Sequence, residues 1–240
     1  MDVKKGNKLY EGKAKKIYAT SDPDLVIQYF KDDATAMDGE KRGVIKGKGI
    51  YNNQISAHLF RFLESYHVPT HFVQTLSDRE MLVKKVEIIP IEVVVRNVVA
   101  GSLAKRLGEE EGKELSEPIV EFYLKDDAQH DPMISEEEIL ERELATKEEL
   151  DKIKRLALKI NAVLKAFFER RKLRLVDFKL EFGRHNGEIV LADEISPDTC
   201  RFWDTETGER LDKDRFRRDM GNVVEAYKEV HKRVLGGPLV

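Results

Sequence analysis

The stretch VDFKLEFG, Val176 to Gly183, sets Asp177, Lys179 and Glu181 between Val176, Phe178, Leu180 and Phe182. Period-two alternation is the pattern of a β-strand with one buried face, so the three charges share the other face. That face can look at water or hold a ligand. Shortly after it, LADEISPDTCRFWD puts Asp193 and Glu194 at the end of an apolar run. Acids in that position are costly unless they are paired, hydrogen-bonded or holding a metal. Magnesium sites commonly use one or two carboxylates and complete the shell with phosphate oxygens and water. Glu181 and Asp193, on adjacent strands of one hairpin, could supply such a pair. The turn between the strands decides whether they share a face. A two-residue loop at Asn186-Gly187 puts Glu181 opposite Ala192 and turns Asp193 to the apolar side, whereas a shared metal requires an odd loop or an equivalent bulge.

Two further stretches could bind anions. In VVVRNVVAGSLAKR, Arg96 lies on the charged face of a strand that also carries Glu92, and Ala100, Gly101 and Ser102 lead into a helix. A helix N-terminus suits a phosphate, but Ser102 could equally cap the helix and Arg96 pair with a structural acid. In LYEGKAKKIY, Gly12 permits a tight turn and close approach, and Lys13 or Lys15 could neutralise phosphate oxygens. A lysine-rich turn is also what a solvated surface looks like, and the GxxxxGK[ST] spacing of a Walker loop is absent. Pro197-Asp198 starts a loop holding Arg201. Cys200 is the one cysteine, which excludes an internal disulfide and a cysteine-based zinc cluster.

The elements that must position these residues read as α+β. KLYEGKAKKIYAT and LVIQYFKD are short strand-like runs joined by SDPD, and VPTHFVQTLSDREMLVKKVEIIP supplies two more. DDATAMDGEKRGVIKGKG, polar and glycine-rich, reads as a mobile loop, followed by a helix with Ile55, Leu59, Phe62 and Leu63 on one stripe. Pro90 opens a second region. IEVVVRNVV and PIVEFYLKDD are strands, and HDPMIS is a loop. Ser135 with Glu138 and Thr146 with Glu149 are capping boxes that start two helices. The second has apolar residues at 150, 153, 157, 160, 164 and 167, a core-facing stripe. VDFKLEFG and EIVLADEIS form a hairpin, and a helix from about Asp214 to Leu235 closes the chain. The expected division is a β-rich part over 1–88 and a larger α+β part over 89–240, with a ligand cleft between them.

Composition narrows the function classes. The 42 Lys and Arg residues nearly balance 45 acids, so nothing favours non-specific nucleic-acid or anionic-membrane binding. Apolar runs are too short to span a bilayer, and MDVKKGNKLYEGKAKKIY lacks the apolar segment of a secretory signal. The expectation is a soluble protein of a reducing cytoplasm.

IPIEVVVRNVVAGSL, LVDFKLEFG and LADEISPDTCRFWD, with LYEGKAKKIY near the start, strongly resemble the SAICAR synthetase (phosphoribosylaminoimidazole-succinocarboxamide synthase) family, from about Lys8 to the last helix. The resemblance implies a ligase that joins L-aspartate to the carboxylate of CAIR, a carboxylated aminoimidazole ribonucleotide, consuming ATP with Mg²⁺. It implies nucleotide contacts from Lys13, Ala14, Lys15, Lys84, Val86, Ile88 and Lys125, and metal contacts from Glu181 and Asp193. Arg96, Ser102 and Arg201 would hold the ribonucleotide phosphate. Asp177, Lys179 and Glu92 would lie nearer the imidazole and its carboxylate, with Asp131 at the reaction centre. A homodimer is expected because family members often self-associate. The rival reading is a small-molecule kinase using the same cleft, which would yield a stable phosphorylated product and need no third substrate.

Overall fold

The computed structural model describes residues 3–36 and 39–236. It is an α+β fold. Strands β1 (Lys5–Glu11), β2 (Lys15–Thr20) and β3 (Leu25–Phe30) run antiparallel, and a hairpin of β4 (Asp33–Ala36) and β5 (Lys41–Val44) follows. After helix α1 (Lys48–Ser65), strands β6 (Phe72–Ser77) and β7 (Glu80–Lys84) complete a first sheet in the order β1-β2-β3-β7-β6. Strand β8 (Glu87–Val98) opens the second sheet. Helix α2 (Gly101–Leu107), strand β9 (Glu114–Leu124) and helices α3 (Glu136–Glu141) and α4 (Lys147–Glu169) come next. Strands β10 (Leu173–His185), β11 (Glu188–Ala192) and β12 (Cys200–Asp204) then precede α5 (Asp214–Arg217) and α6 (Val223–Leu235).

Helix α4 shows how sequence builds the second layer. Thr146 accepts from Glu149 N while the Glu149 carboxylate reaches back to Thr146 N, so its first turn starts capped. Leu150, Ile153, Ala157, Ile160, Leu164 and Phe167 are all buried. They pack with Val93, Val95, Phe178, Leu180 and Phe182 from the inner face of the second sheet in one apolar cluster. Removing one such side chain, as in Leu164→Ala, costs about 2–5 kcal/mol. Phe178, Leu180 and Phe182 of VDFKLEFG therefore face α4 and its charges face the other way, while Val176 packs separately with Val98, Ala100 and Trp203.

The far edge of β10 is shared. β11 pairs with its C-terminal half, from Glu181 to His185, and β12 with its N-terminal half, from Leu173 to Phe178. Between them the 193–199 segment enters at Lys179, whose N–H donates to Thr199 O at 2.8 Å. Ser56 of α1 anchors that segment, donating to Ile195 O (3.0 Å) and accepting from Ile195 N (3.2 Å). The segment leading into β6 meets the second sheet at β11, where Thr70 and Leu191 form an isolated parallel bridge.

Four expectations are corrected. The segment read as a mobile loop is the β4–β5 hairpin, with Ala34 buried against Ile45 and Tyr227; Met37 and Asp38 within it lie outside the described residues. Arg201 stands on β12 rather than in a loop, because CRFWD pairs with the start of β10. One closing helix is two, broken by left-handed backbone at Asp219, Gly221 and Asn222. The β10–β11 turn is the two-residue loop, not an odd one: His185 pairs with Glu188 and Glu181 with Ala192. Asp193 still escapes the apolar face. The ladder ends at Ala192, and Asp193 adopts φ 59°, left-handed backbone that re-aims its side chain.

Candidate active site

The register of the second sheet brings the charged residues together. Asp177 pairs with Arg96, Lys179 with Val94 and Glu181 with Glu92 across β10 and β8. Glu121 and Tyr123 of β9 oppose Val94 and Glu92. Same-face side chains on neighbouring strands stand close enough to interact directly, so one face of the sheet becomes a field of alternating charge.

At its centre, Lys179 donates to Glu92 Oε1 (2.7 Å) and Glu181 Oε1 (3.1 Å), and Glu181 also pairs with Lys125. Lys15, from the first sheet, pairs with Asp193 and reaches Glu194 Oε1 at 2.6 Å. Burial pushes the Lys179 ammonium down, but Glu181, Asp193 and Glu92 outweigh it and hold the group well above its usual range. Burial likewise raises Asp193, yet Lys15, Lys179 and Lys125 pull its carboxyl down to about 2. Both groups are charged at neutral pH.

A second cluster lies toward α2. Arg96 donates to Glu121 (2.7 Å), Asp177 (3.3 Å), Ser102 (3.0 Å) and Tyr123 (3.1 Å). Arg201 donates from Nη1 to Asp177 Oδ2 at 2.8 Å and from Nε to Asp214 Oδ2 at 3.0 Å. Burial pushes the Asp177 carboxyl up, and Arg201 and Arg96 pull against that rise. Ser102 and Arg96 thus meet each other. Cys200 is buried, its thiol pushed up by burial, so it is no ready nucleophile.

These clusters line connected cavities. An apolar one of about 320 Å³ is walled by Ile17, Val26, Val83, Val86, Ile88 and Ala192, with Lys15, Lys84, Lys125, Glu181 and Asp193 on its rim. Those rim groups, Lys84 excepted, recur in a cavity that also touches Lys13, Ala14 and Lys179. A wider space of about 490 Å³ adds Asp131 and Glu92. The last, about 330 Å³, holds Arg96, Ser102, Asp177, Lys179 and Arg201. Every residue given a ligand or metal role from the sequence thus lines one trough. Lys84 and Asp131 do so with their side chains engaged: Lys84 Nζ donates to Thr70 O (3.1 Å), and Asp131 accepts from Asp126 N (2.8 Å).

The sequence reading left out Lys213 and Arg217, which line the trough beside Arg201. The Lys213 ammonium makes no hydrogen bond or ion pair among the described residues, and burial pulls it down despite Asp198. It also left out Asp198, which is buried with Lys48 (2.5 Å) and Tyr227. The charge-dense run LDKDRFRRDM was the available signal for the first two, and it does not say which charges face inward.

Among the described residues no group of three or more His, Cys, Asp or Glu side chains forms a metal cage. Glu181 and Asp193 on one rim nevertheless fit a cation that takes one or two carboxylates and fills its shell from phosphate and water. The trough can seat a flat apolar group at one end, polyphosphate at its lysine-rich middle and a second phosphorylated ligand at its arginine end.

Known proteins resemble this chain in both sequence and fold. A sequence model of the SAICAR synthetase family matches residues 8–234. A relative from Pelodictyon phaeoclathratiforme, named phosphoribosylaminoimidazole-succinocarboxamide synthase, is 61% identical over 97% of this chain and 99% of its own length. The crystal structure of the synthase of that name from Ehrlichia chaffeensis is 51% identical and superposes with TM-score 0.94, covering 97% of this chain and all of its own. A SAICAR synthetase solved in complex with ADP is 50% identical with TM-score 0.92, over the whole of both chains. A match of that extent, over the strands and turns that build the trough, means that the chain belongs to the SAICAR synthetase family, the ATP-dependent ligases of purine biosynthesis.

Proposed function

We propose that the chain joins L-aspartate to the carboxylate of CAIR, giving SAICAR, ADP and phosphate, with the two nucleotides laid end to end in the trough. The single observation that carries this reading is the continuity of the apolar slot, the lysine–carboxylate centre and the arginine pocket along one sheet face. The ADP-bound relative supports the nucleotide half.

In this reading the chain divides near residue 88, and ATP lies between the two parts. Val86, Ile88 and the backbone from Lys84 hold adenine in the slot, while Lys13, Ala14, Lys15 and Lys125 line the phosphates. Glu181 and Asp193 would hold Mg²⁺, which would neutralise charge developing on the transferred phosphoryl group. Arg96, Ser102 and Arg201 take the ribonucleotide phosphate. Glu92, Asp177 and Lys179 face its imidazole and carboxylate, with Asp131 at the margin of the reaction centre.

A carboxylate is a poor acyl donor, so it needs a leaving group before an amine can attack. Transfer of the γ-phosphoryl group to a CAIR carboxylate oxygen breaks the bond to ADP and forms an acyl phosphate. The aspartate amine, once it has lost its ammonium proton, attacks the acyl carbon. The C–N bond forms, the C–O bond to phosphate breaks, and phosphate leaves. Phosphoryl transfer is catalysed mainly by positioning and charge neutralisation. Lysines held cationic between carboxylates supply both, and no protein nucleophile is required. A cytoplasmic location and a homodimer belong to the same reading; among the described residues no helix is long and apolar enough to cross a membrane.

Ligand binding by Arg201→Ala and Ser102→Ala tests the assignment. CAIR affinity should fall much more than ATP affinity in both. Equal losses, or none, would remove these residues from the ribonucleotide site.

A further inference from the structure

Beside the arginine pocket lies a group of charges that the proposed reaction does not use. Glu111, in the connection between α2 and β9, accepts from Gly101 N at 2.8 Å and from Arg218 Nη2 at 2.7 Å through Oε1. Its Oε2 accepts from Arg210 Nη2 at 2.5 Å and Arg218 Nη1 at 3.1 Å. Asp214 is the second acid of the group. It receives Arg201 Nε (3.0 Å), Arg210 Nη1 (3.2 Å) and Arg217 Nη1 (2.8 Å), with Arg218 Nη2 at 3.8 Å. Four guanidinium groups therefore crowd one buried carboxylate, and Glu111 draws two of them away.

Gly101 links this group to the pocket in a different way. Its backbone is left-handed, φ 54°, and a Cβ there would lie 2.7 Å from Cζ of Arg201. The guanidinium of Arg201 thus rests against the bare Gly101 backbone, whose N–H is pinned by Glu111. Arg201 spends Nη1 on Asp177 and Nε on Asp214, and Nη2, beside Gly101, has no hydrogen bond among the described residues.

We infer that Glu111 is a positioning residue for Arg201: it pins the Gly101 backbone on which the guanidinium lies and, by sharing Arg210 and Arg218 with Asp214, limits their competition with Arg201 for that carboxylate. The inference rests on the proposed role of Arg201 at the ribonucleotide. Without the Glu111 charge, Arg210 and Arg218 have Asp214 as their remaining acid, and charge-assisted hydrogen bonds are strong enough for that competition to tilt Arg201 out of its place. Burial raises the Glu111 carboxyl, but Arg218, the Gly101 N–H and Arg210 hold it at about 2, so the charge is present across the working pH range.

Steady-state kinetics of E111Q, with E110Q as a matched charge change at an exposed neighbour, tests this. E111Q should raise KM for CAIR about tenfold or more, with KM for ATP and kcat within about twofold; E110Q should leave all three unchanged. G101A should raise KM for CAIR in the same selective way. Equal loss toward both substrates in E111Q, or no loss, overturns the inference, because a merely structural role would not single out CAIR. R201A separates the two levels: if it leaves KM for CAIR unchanged, the Arg201 assignment itself fails. If R201A raises that KM and E111Q does not, the positioning role alone is lost.

Discussion

Replacing Asp193 with asparagine removes one negative charge from the centre of the trough and changes little else. Asparagine is nearly isosteric and, like aspartate, tolerates the left-handed backbone at φ 59°. What it loses is the attraction of Lys15, Lys179 and Lys125, which lowers the Asp193 carboxyl from 3.8 to about 2 against the opposing effect of burial. A fall of that size corresponds to about 2 kcal/mol of native-state stability at neutral pH. For a chain of this length that is about 4–8 °C in Tm. The folded pKa lies below the unfolded one, so the contribution is complete above about pH 4–5 and is lost as pH falls toward 2. Scanning calorimetry of wild type and Asp193→Asn should therefore show a constant gap from pH 7 to pH 5 that narrows below pH 4. Turnover should fall by roughly 10²–10³, the scale of losing one preorganised charge-stabilising group. Unchanged Tm at pH 7 would refute the electrostatic reasoning. Near-normal ADP formation at ordinary magnesium concentrations would refute the metal assignment.

Two further changes probe the trough from outside its charged centre. In Gly183→Ala the new methyl would sit 2.7 Å from Val86 Cγ2 and 3.2 Å from Glu87 O, pushing Val86 into the apolar slot; KM for ATP should rise severalfold while CAIR affinity holds, and a reverse pattern would take adenine out of that slot. Lys48→Met leaves Asp198 buried with Tyr227 but without its ammonium partner, so urea denaturation should show about 3–5 kcal/mol lost, whereas a loss under about 1 kcal/mol would mean the pair is effectively solvated.

The parts legible in the sequence were those where a local pattern decides the outcome. Alternation in VDFKLEFG fixed which face of β10 is charged, and two capping boxes with a stripe of threes and fours located α3 and α4. The parts that were not legible depend on distant partners. Asp33–Ala36 alternates only through two small alanines and Lys41–Val44 not at all; they pair with each other, and Ala34 packs against Tyr227 from the far end of the chain. Arg201 became a strand residue because the start of β10 offers CRFWD an open edge. The register rule for Asp193 was sound within a ladder, but the ladder stops one residue earlier, and a single left-handed residue achieves what an odd loop would have done. Lys213 enters the trough because its N–H is tied to Pro197 O at 3.0 Å, a contact between α5's approach and the loop before β12 that no spacing encodes.

The central claim is that three substrates meet in one trough and that phosphate is transferred only to be displaced. Quantifying ADP, phosphate and nucleotide products with each substrate omitted in turn tests it most directly. The account predicts that ADP release requires CAIR, rises strongly with L-aspartate, and is matched one for one by phosphate and SAICAR. ADP formed at the full rate without aspartate, together with a stable phosphorylated product, would contradict it and make the chain a kinase.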